Sequence, residues 1–199
     1  MKRPILLSSL TALFLWTGYA AVADRAVWGQ EPTTIEQTAS DWDLLSRPEA
    51  GFAIEVPPGT LREEVQSIET EVGQIQVHTI GIGRETRVYA VRYNDFPPVF
   101  QGLPAETLLE ATMQGLAANV SQRLEADRNI SLGGHPGLDL YYEGLDGRVY
   151  KHRVYLVNQR VYQTLVVTSQ DDLTNFLVEA DRFLNSFNLT ALEPASGEL

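Results

Sequence analysis

The sequence contains no cysteine among its 199 residues. A chain without cysteine cannot form a disulfide, carry a lipidated N-terminal cysteine, bind a metal through thiolates or use a cysteine nucleophile. The folded state must therefore be stabilised by burial of side chains. The length is sufficient for one domain with a substantial hydrophobic core.

Positive charge is also scarce, because 15 lysines and arginines stand against 26 aspartates and glutamates, for a net charge of −11. Nucleic acids and anionic membrane surfaces both bind proteins that cluster lysine and arginine. We therefore expect neither nucleic acid nor a membrane surface as a partner. The acidic balance is interpreted as that of a solvated protein surface.

Motifs that carry chemistry are missing as well. His78, His135 and His152 lie far apart in the sequence, and no H-E-x-x-H motif is present. Neither the G-x-S-x-G nor the S-x-x-K nucleophile motif occurs. The glycine-containing segment 81–86 lacks the third glycine of a dinucleotide loop and leads into a predicted strand. We predict no catalytic residue, no metal site and no cofactor, and we do not expect an enzyme.

Carboxylates that meet only on folding, as in glycoside hydrolases, are left open by the sequence. Close acidic pairs do occur, but such pairs usually lie on the solvated surface. They are Asp41 with Asp43, Glu63 with Glu64, and Asp171 with Asp172.

The one long hydrophobic run stands at the N-terminus, from Ile5 to Trp16, after Lys2 and Arg3. It is shorter than the roughly 20 residues that span a bilayer, and the small-x-small pattern of residues 21–23 follows it. This arrangement is typical of a signal peptide rather than a membrane anchor. We predict a signal peptide at 1–23 and an exported protein, periplasmic, thylakoid-lumenal or extracellular, that does not insert into the membrane after cleavage.

Composition divides the remaining chain into three parts. Residues 24–40 show little periodicity and are predicted to form a linker or flexible arm, in which a short helix at 33–38 is possible. Residues 41–189 are predicted to form the folded domain. Residues 190–199 contain Pro194 and Gly197 and are predicted to be a disordered tail.

A β-hairpin followed by an amphipathic helix dominates the domain. Val149–Val157 and Val161–Thr168 are rich in β-branched and aromatic residues, and Asn158-Gln159 between them fits a two-residue turn. That turn pairs Leu156 with Val161 and His152 with Leu165. Since neither surface of the hairpin is simply polar, we expect it to be central and covered on both sides.

Alternating or β-rich segments elsewhere predict further strands, and Gly133–Gly137 is predicted to be a loop. The predicted strands are Trp42–Leu45, Phe52–Val56, Val65–Val72, Gln74–Ile82, Thr86–Tyr93, Ile130–Leu132 and Leu138–Glu143.

Two segments carry apolar residues at helical spacing. One follows Pro104 and runs from Leu108 to Leu124, and the other runs from Leu173 to Phe187 after a capping-box pair, Ser169 and Asp172. The predicted fold class is therefore α+β, with a single antiparallel β-sheet of about six to eight strands and helices packed on both faces, an α/β/α sandwich.

Several motifs together resemble the PsbP-like family over residues 41–189. They are Trp42, Gly51–Pro57, the Gly134–Gly137 segment, Arg160–Tyr162 and Ala180–Phe187. The resemblance implies an antiparallel sheet with helices on both sides. It also implies a non-enzymatic protein that binds other proteins, as do the extrinsic subunits of photosystem II in that family. No functional residue is carried over by it.

The sequence thus predicts an exported, non-catalytic module that binds another protein or helps to assemble or stabilise a complex. The alternative is a small-ligand-binding protein or an undetected hydrolase with a pocket between the sheet and a helix. A concave pocket with converging ionisable side chains would favour the alternative.

The predicted export signal can be tested by mass spectrometry of the protein recovered from its native host. We expect a mature chain that begins at Asp24. Ala23→Trp should block cleavage, because signal peptidase requires a small residue there, whereas Val22→Leu should be cleaved normally. Full-length protein in the wild type, or cleavage in both variants, would contradict this prediction.

Overall fold

The computed structural model describes residues 33–34, 42–70, 73–84 and 86–191. Of the predicted linker, only residues 33–34 fall in these ranges, and they form a short strand and not part of a helix. The predicted signal peptide and residues 192–199 of the predicted tail lie outside the described residues. The secondary-structure elements are β1 (Thr33–Thr34), β2 (Asp43–Arg47), β3 (Phe52–Val56), β4 (Thr60–Thr70), β5 (Gly73–Arg84), β6 (Arg87–Asp95), a 3₁₀ turn (Pro98–Phe100), α1 (Ala105–Ala117), β7 (Val120–Arg123), β8 (Arg128–Leu132), β9 (His135–Gly144), β10 (Arg148–Val157), β11 (Arg160–Ser169), α2 (Phe176–Asn185) and β12 (Asn188–Leu189).

An antiparallel sheet makes up most of the described structure, as predicted. Eight of its nine strands follow the order β1-β4-β5-β6-β11-β10-β9-β7, and the ninth, β8, pairs with β9. The strand number exceeds the predicted six to eight, and the sheet is not single, because β2, β3 and β12 form a separate three-stranded sheet. The predicted first two strands belong to this smaller sheet, where Phe52, Ile54 and Val56 are buried.

The central position of the β10–β11 hairpin is confirmed. Leu156 pairs with Val161 and His152 with Leu165, as the two-residue turn requires. Asn158 adopts a left-handed φ of 56°, a conformation that asparagine tolerates better than most residues. β9 and β6 flank the hairpin, so its backbone groups are paired on both edges.

Alternate residues of β10 enter two separate cores. Tyr150, Val154 and Leu156 pack in a cluster that also contains the buried residues of α1. Val149 and Tyr155 pack in a second cluster with residues of β3 and α2. Because successive side chains of a strand point in opposite directions, the hairpin contributes to both clusters at once.

The first predicted helix is too long, since α1 ends at Ala117. Val120 lies instead in β7, which pairs with β9, and Leu124 donates its backbone N–H to Tyr141 O at 2.9 Å. A spacing of four residues keeps side chains on one side of a strand as well as of a helix. The apolar pattern alone could not separate the two, and pairing with β9 supplies backbone hydrogen bonds for this segment.

The second helix begins at Phe176, later than the predicted capping box. Asp172 does not cap it, because its carboxylate accepts hydrogen bonds from the Arg87 guanidinium at 2.9 and 3.1 Å. The N-cap position is occupied by Asn175, with a left-handed φ of 59°. Leu173 therefore lies before the helix and is 45% exposed.

The predicted loop Gly133–Gly137 is a two-residue turn. Gly133 and Gly134 have φ values of 57° and 85°, which favour glycine, and His135 already begins β9. Among the described helices, none has both the length and the apolarity needed to cross a membrane.

Phe183 of α2 is 1% exposed, and its ring contacts Tyr89 edge-on at a centroid distance of 5.5 Å. We expect Phe183→Ala to lower the free energy of unfolding by about 3 to 5 kcal/mol, since it leaves a cavity in the core. Val178→Ala on the same helix, where the side chain is 72% exposed, should change it by less than about 0.5 kcal/mol. Urea denaturation followed by circular dichroism measures both, and equal effects would contradict this placement of α2.

Candidate functional site

A groove of about 610 Å³ lies between α1 and one edge of the main sheet. Its walls are mainly apolar. On the helix they include Leu109, Met113 and Ala117, and on the sheet Ile130, Pro136 and Leu138. We call this feature the α1 groove.

The sheet wall of the α1 groove is a divided edge strand. β7 pairs with the end of β9 and β8 with its beginning, so both lie along the same side of one strand. Between them, residues 124–127 leave the regular ladder, and the N–H groups of Leu124 and Glu125 both donate to Tyr141 O. The irregular backbone brings residues 123, 127, 129 and 130 to the groove.

Close packing in the sheet wall requires glycine at position 137. A Cβ atom at this position would lie 2.5 Å from the Tyr155 ring and 2.6 Å from Val154 O on β10. Because backbone cannot yield at such distances, a side chain would separate β9 from β10 there. This position thus keeps the wall of the groove close to the central hairpin.

Charged side chains lie around the apolar walls. Glu106 and Glu110 are exposed on α1, one turn apart. Arg123 forms an ion pair with Asp127 at 3.3 Å, while its Nη1 atom is buried without a hydrogen-bond partner. The groove therefore combines a net negative charge with one unsatisfied donor.

A buried polar row continues inward from Arg123. The guanidinium carbon lies 5.8 Å from the centre of the Tyr142 ring, and the Tyr142 hydroxyl is 3.2 Å from His152 Nδ1. His152 is fully buried. Burial, with a contribution from nearby Arg92, lowers the pKa of His152 to about 3, so the ring is neutral in the folded protein.

A second polar cluster surrounds the buried carboxylate of Asp139. Lys151 Nζ lies 2.7 Å from it, Arg128 Nη2 2.8 Å and Arg153 Nε 3.5 Å. Asp139 and Lys151 are only 3% and 4% exposed. Removing one partner of such a buried pair is strongly destabilising, so we assign this cluster to stability.

The three histidines considered as candidate metal ligands lie apart from one another in the structure. His78 stacks on Tyr93 at 4.6 Å beside a smaller cavity of about 260 Å³, and His135 begins β9, away from buried His152. Among the described residues, no three histidine or carboxylate side chains are grouped closely enough to hold a metal ion.

The acidic pairs do not form a shared site either. Glu63 pairs with Arg47 and Asp172 with Arg87, whereas Asp171 is exposed. Asp41 lies outside the described residues. In both of these ion pairs, the arginine is distant from the acid in the sequence.

The sequence did not reveal the α1 groove or the Asp139 cluster. The groove depends on Arg123, which lies within the segment wrongly assigned to the first helix, and on Ile130 of β8. The Asp139 cluster depends on the register between β9 and β10, which pairs Asp139 with Arg153 and which the sequence analysis did not predict.

Stability should depend on pH through His152. Below its ordinary pKa of 6.5, the unfolded chain binds a proton that the folded chain does not, so stability falls as the pH falls towards 3. From pH 7 to pH 5 this loss amounts to about 2 kcal/mol. Urea denaturation of His152→Gln should show a loss smaller by about this amount, whereas Val178→Ala, at an exposed position of α2, should show the same loss as the wild type. Equal pH dependence in all three proteins would contradict a neutral, buried His152.

Comparison with known proteins finds distant likenesses to solved structures. No protein-family model and no curated protein matches the chain. The solution structure of cyanobacterial PsbP (CyanoP) from Synechocystis sp. PCC 6803 is 13% identical to this chain and has a TM-score of 0.48. The match covers 77% of this chain and 94% of that chain. The crystal structure of PA94 from Pseudomonas aeruginosa, a protein of unknown function described as a putative regulator, is 12% identical to this chain and has a TM-score of 0.37. The match covers 70% of this chain and 91% of that chain.

The first of these structures is that of a PsbP protein, the family that the sequence motifs resemble. At these identities and TM-scores it assigns no activity, partner or site residue to this chain.

Proposed function

We propose that this protein is an exported, non-catalytic module that binds another protein through the α1 groove. The observation that carries the proposal is the groove itself, with apolar walls, a charged rim and the unsatisfied Arg123 donor. An apolar centre with polar groups around it is the arrangement by which proteins recognise partners.

A rigid frame around the groove is part of the same proposal. We infer that α1 and α2 cover opposite faces of the main sheet, as in an α/β/α sandwich. Support comes from the two core clusters, since Tyr150 packs with α1 residues and its neighbour Val149 with α2 residues. A wall fixed on the central hairpin would present the groove to a partner with little loss of conformational entropy.

Export is supported by the N-terminal sequence alone. The run Ile5–Trp16 and the residues 21–23 have the composition of a cleaved signal peptide. The compartment would be periplasm, thylakoid lumen or the extracellular space. The net charge of −11 favours a protein partner over nucleic acid.

A small-ligand-binding role is the second candidate, and one observation favours it. The volume of about 610 Å³ falls within the range of roughly 300 to 1,000 Å³ that is usual for small-molecule sites. The groove also lies between a helix and the sheet, with ionisable side chains at its rim. A hydrolase would additionally need two of its carboxylates to act on a substrate there.

The proposal is tested by placing a photo-crosslinking residue at Gln114, in the groove, or at Asp171, exposed before α2. In native cells we expect a recurrent protein adduct from position 114 and none of that mass from position 171. Met113→Glu should abolish the adduct, because it places a charge on an apolar wall, while the volume-conserving Met113→Leu should keep it. Thermal unfolding confirms that both variants fold.

Equal adducts from the two positions, or an adduct unaffected by Met113→Glu, would overturn the α1 groove as a protein-binding site. No adduct, together with a bound small molecule detected by native mass spectrometry and lost in Met113→Glu, would establish the second candidate instead.

A further inference from the structure

We infer that the α1 groove takes an extended polypeptide segment in which basic residues alternate with apolar ones. This inference rests on the proposed function and adds the chemistry of the partner. It follows from the length of the groove, the position of its charges and its unsatisfied donor.

The length of the helix wall matches a short extended segment. The wall runs from Glu106 to Ala117, which at 1.5 Å per residue is about 16 Å. An extended chain rises about 3.3 Å per residue, so roughly five residues span the same distance. A backbone of that length can follow the groove while alternate side chains turn towards the apolar walls.

The glutamates at the rim of the groove favour basic residues in the second row of side chains of a bound segment, the row that does not face the apolar walls. Glu106 and Glu110 are four helical positions apart, a rise of about 6 Å. In an extended segment, side chains two residues apart lie on one side with a separation of about 6.6 Å. Lysine or arginine at two such positions can therefore meet one glutamate each.

The opposite wall supplies a donor. Arg123 already pairs with Asp127 through Nη2, and its buried Nη1 has no acceptor. Every residue of an extended segment offers a backbone carbonyl, and the Arg123 side chain is 33% exposed, so a bound polypeptide can accept hydrogen bonds from the exposed N–H groups of this guanidinium. A simple alkylammonium ion could meet the glutamates but has no acceptor for Arg123, which is why we prefer a polypeptide.

The test uses a fluorescently labelled synthetic peptide of alternating leucine and lysine and fluorescence anisotropy. We expect it to bind, with leucine–glutamate and serine–lysine peptides of equal length binding at least about tenfold more weakly, since each lacks one row of matching side chains. Higher salt should weaken binding, because the ion pairs are exposed.

Matched variants locate the site. Glu106→Gln combined with Glu110→Gln should weaken binding roughly threefold to tenfold, as expected for two exposed ion pairs. Asp171→Asn combined with Asp181→Asn removes the same charge from exposed positions away from the groove and should weaken it less than about twofold. Gln114→Trp, an exposed helix position in the groove, should block binding without unfolding the protein.

Equal loss in the two double variants, or equal binding of the leucine–lysine and leucine–glutamate peptides, would overturn the basic-segment inference. If a cellular adduct at position 114 nevertheless depends on Met113, the protein-binding function stands and only the partner chemistry is wrong. If an alkylammonium probe binds and the peptide does not, the small-ligand candidate replaces the protein-binding function.

Discussion

The two-sided β10–β11 hairpin is the constraint on which the other elements depend. Its strands lie in the middle of the main sheet, so their backbone groups are satisfied on both edges and their side chains must be buried on either side. The alternation sends Tyr150 and Val154 into one core and Val149 and Tyr155 into another. Elements that approach the sheet are held by one of these two clusters, and α1 and α2 belong to different ones.

The same hairpin explains how polar groups can be tolerated inside. His152 and Lys151 are neighbours on β10, yet they enter different environments, the first beside Tyr142 and the second beside Asp139. Burial keeps His152 neutral, whereas the Lys151 ammonium nitrogen lies 2.7 Å from the Asp139 carboxylate. His152 and Lys151 thus lie in the same strand near the candidate site, but among the described residues they do not belong to one polar cluster.

The candidate site arises where regular structure stops at the edge of the sheet. Sheet edges require a partner for their backbone groups, and the divided strand of β7 and β8 supplies one along β9. Its irregular middle leaves space beside α1 that a continuous strand would fill. In the proposed function, this space is what a partner occupies, and the stability of the hairpin behind Gly137 keeps it open.

Sequence alone determined the elements whose patterns are local. The turn at Asn158-Gln159 fixed the register of the hairpin, because it follows from the period of one element. The apolar stripe predicted from Leu173 to Phe187 contains the buried residues of α2, although Leu173 and Leu177 within it are exposed. Only the tertiary structure decided where α1 ends, since Val120 and Leu124 satisfy helical and strand periods alike. It also decided that Asp172 binds Arg87 rather than capping a helix, and that the groove exists, because these features depend on residues distant in the chain.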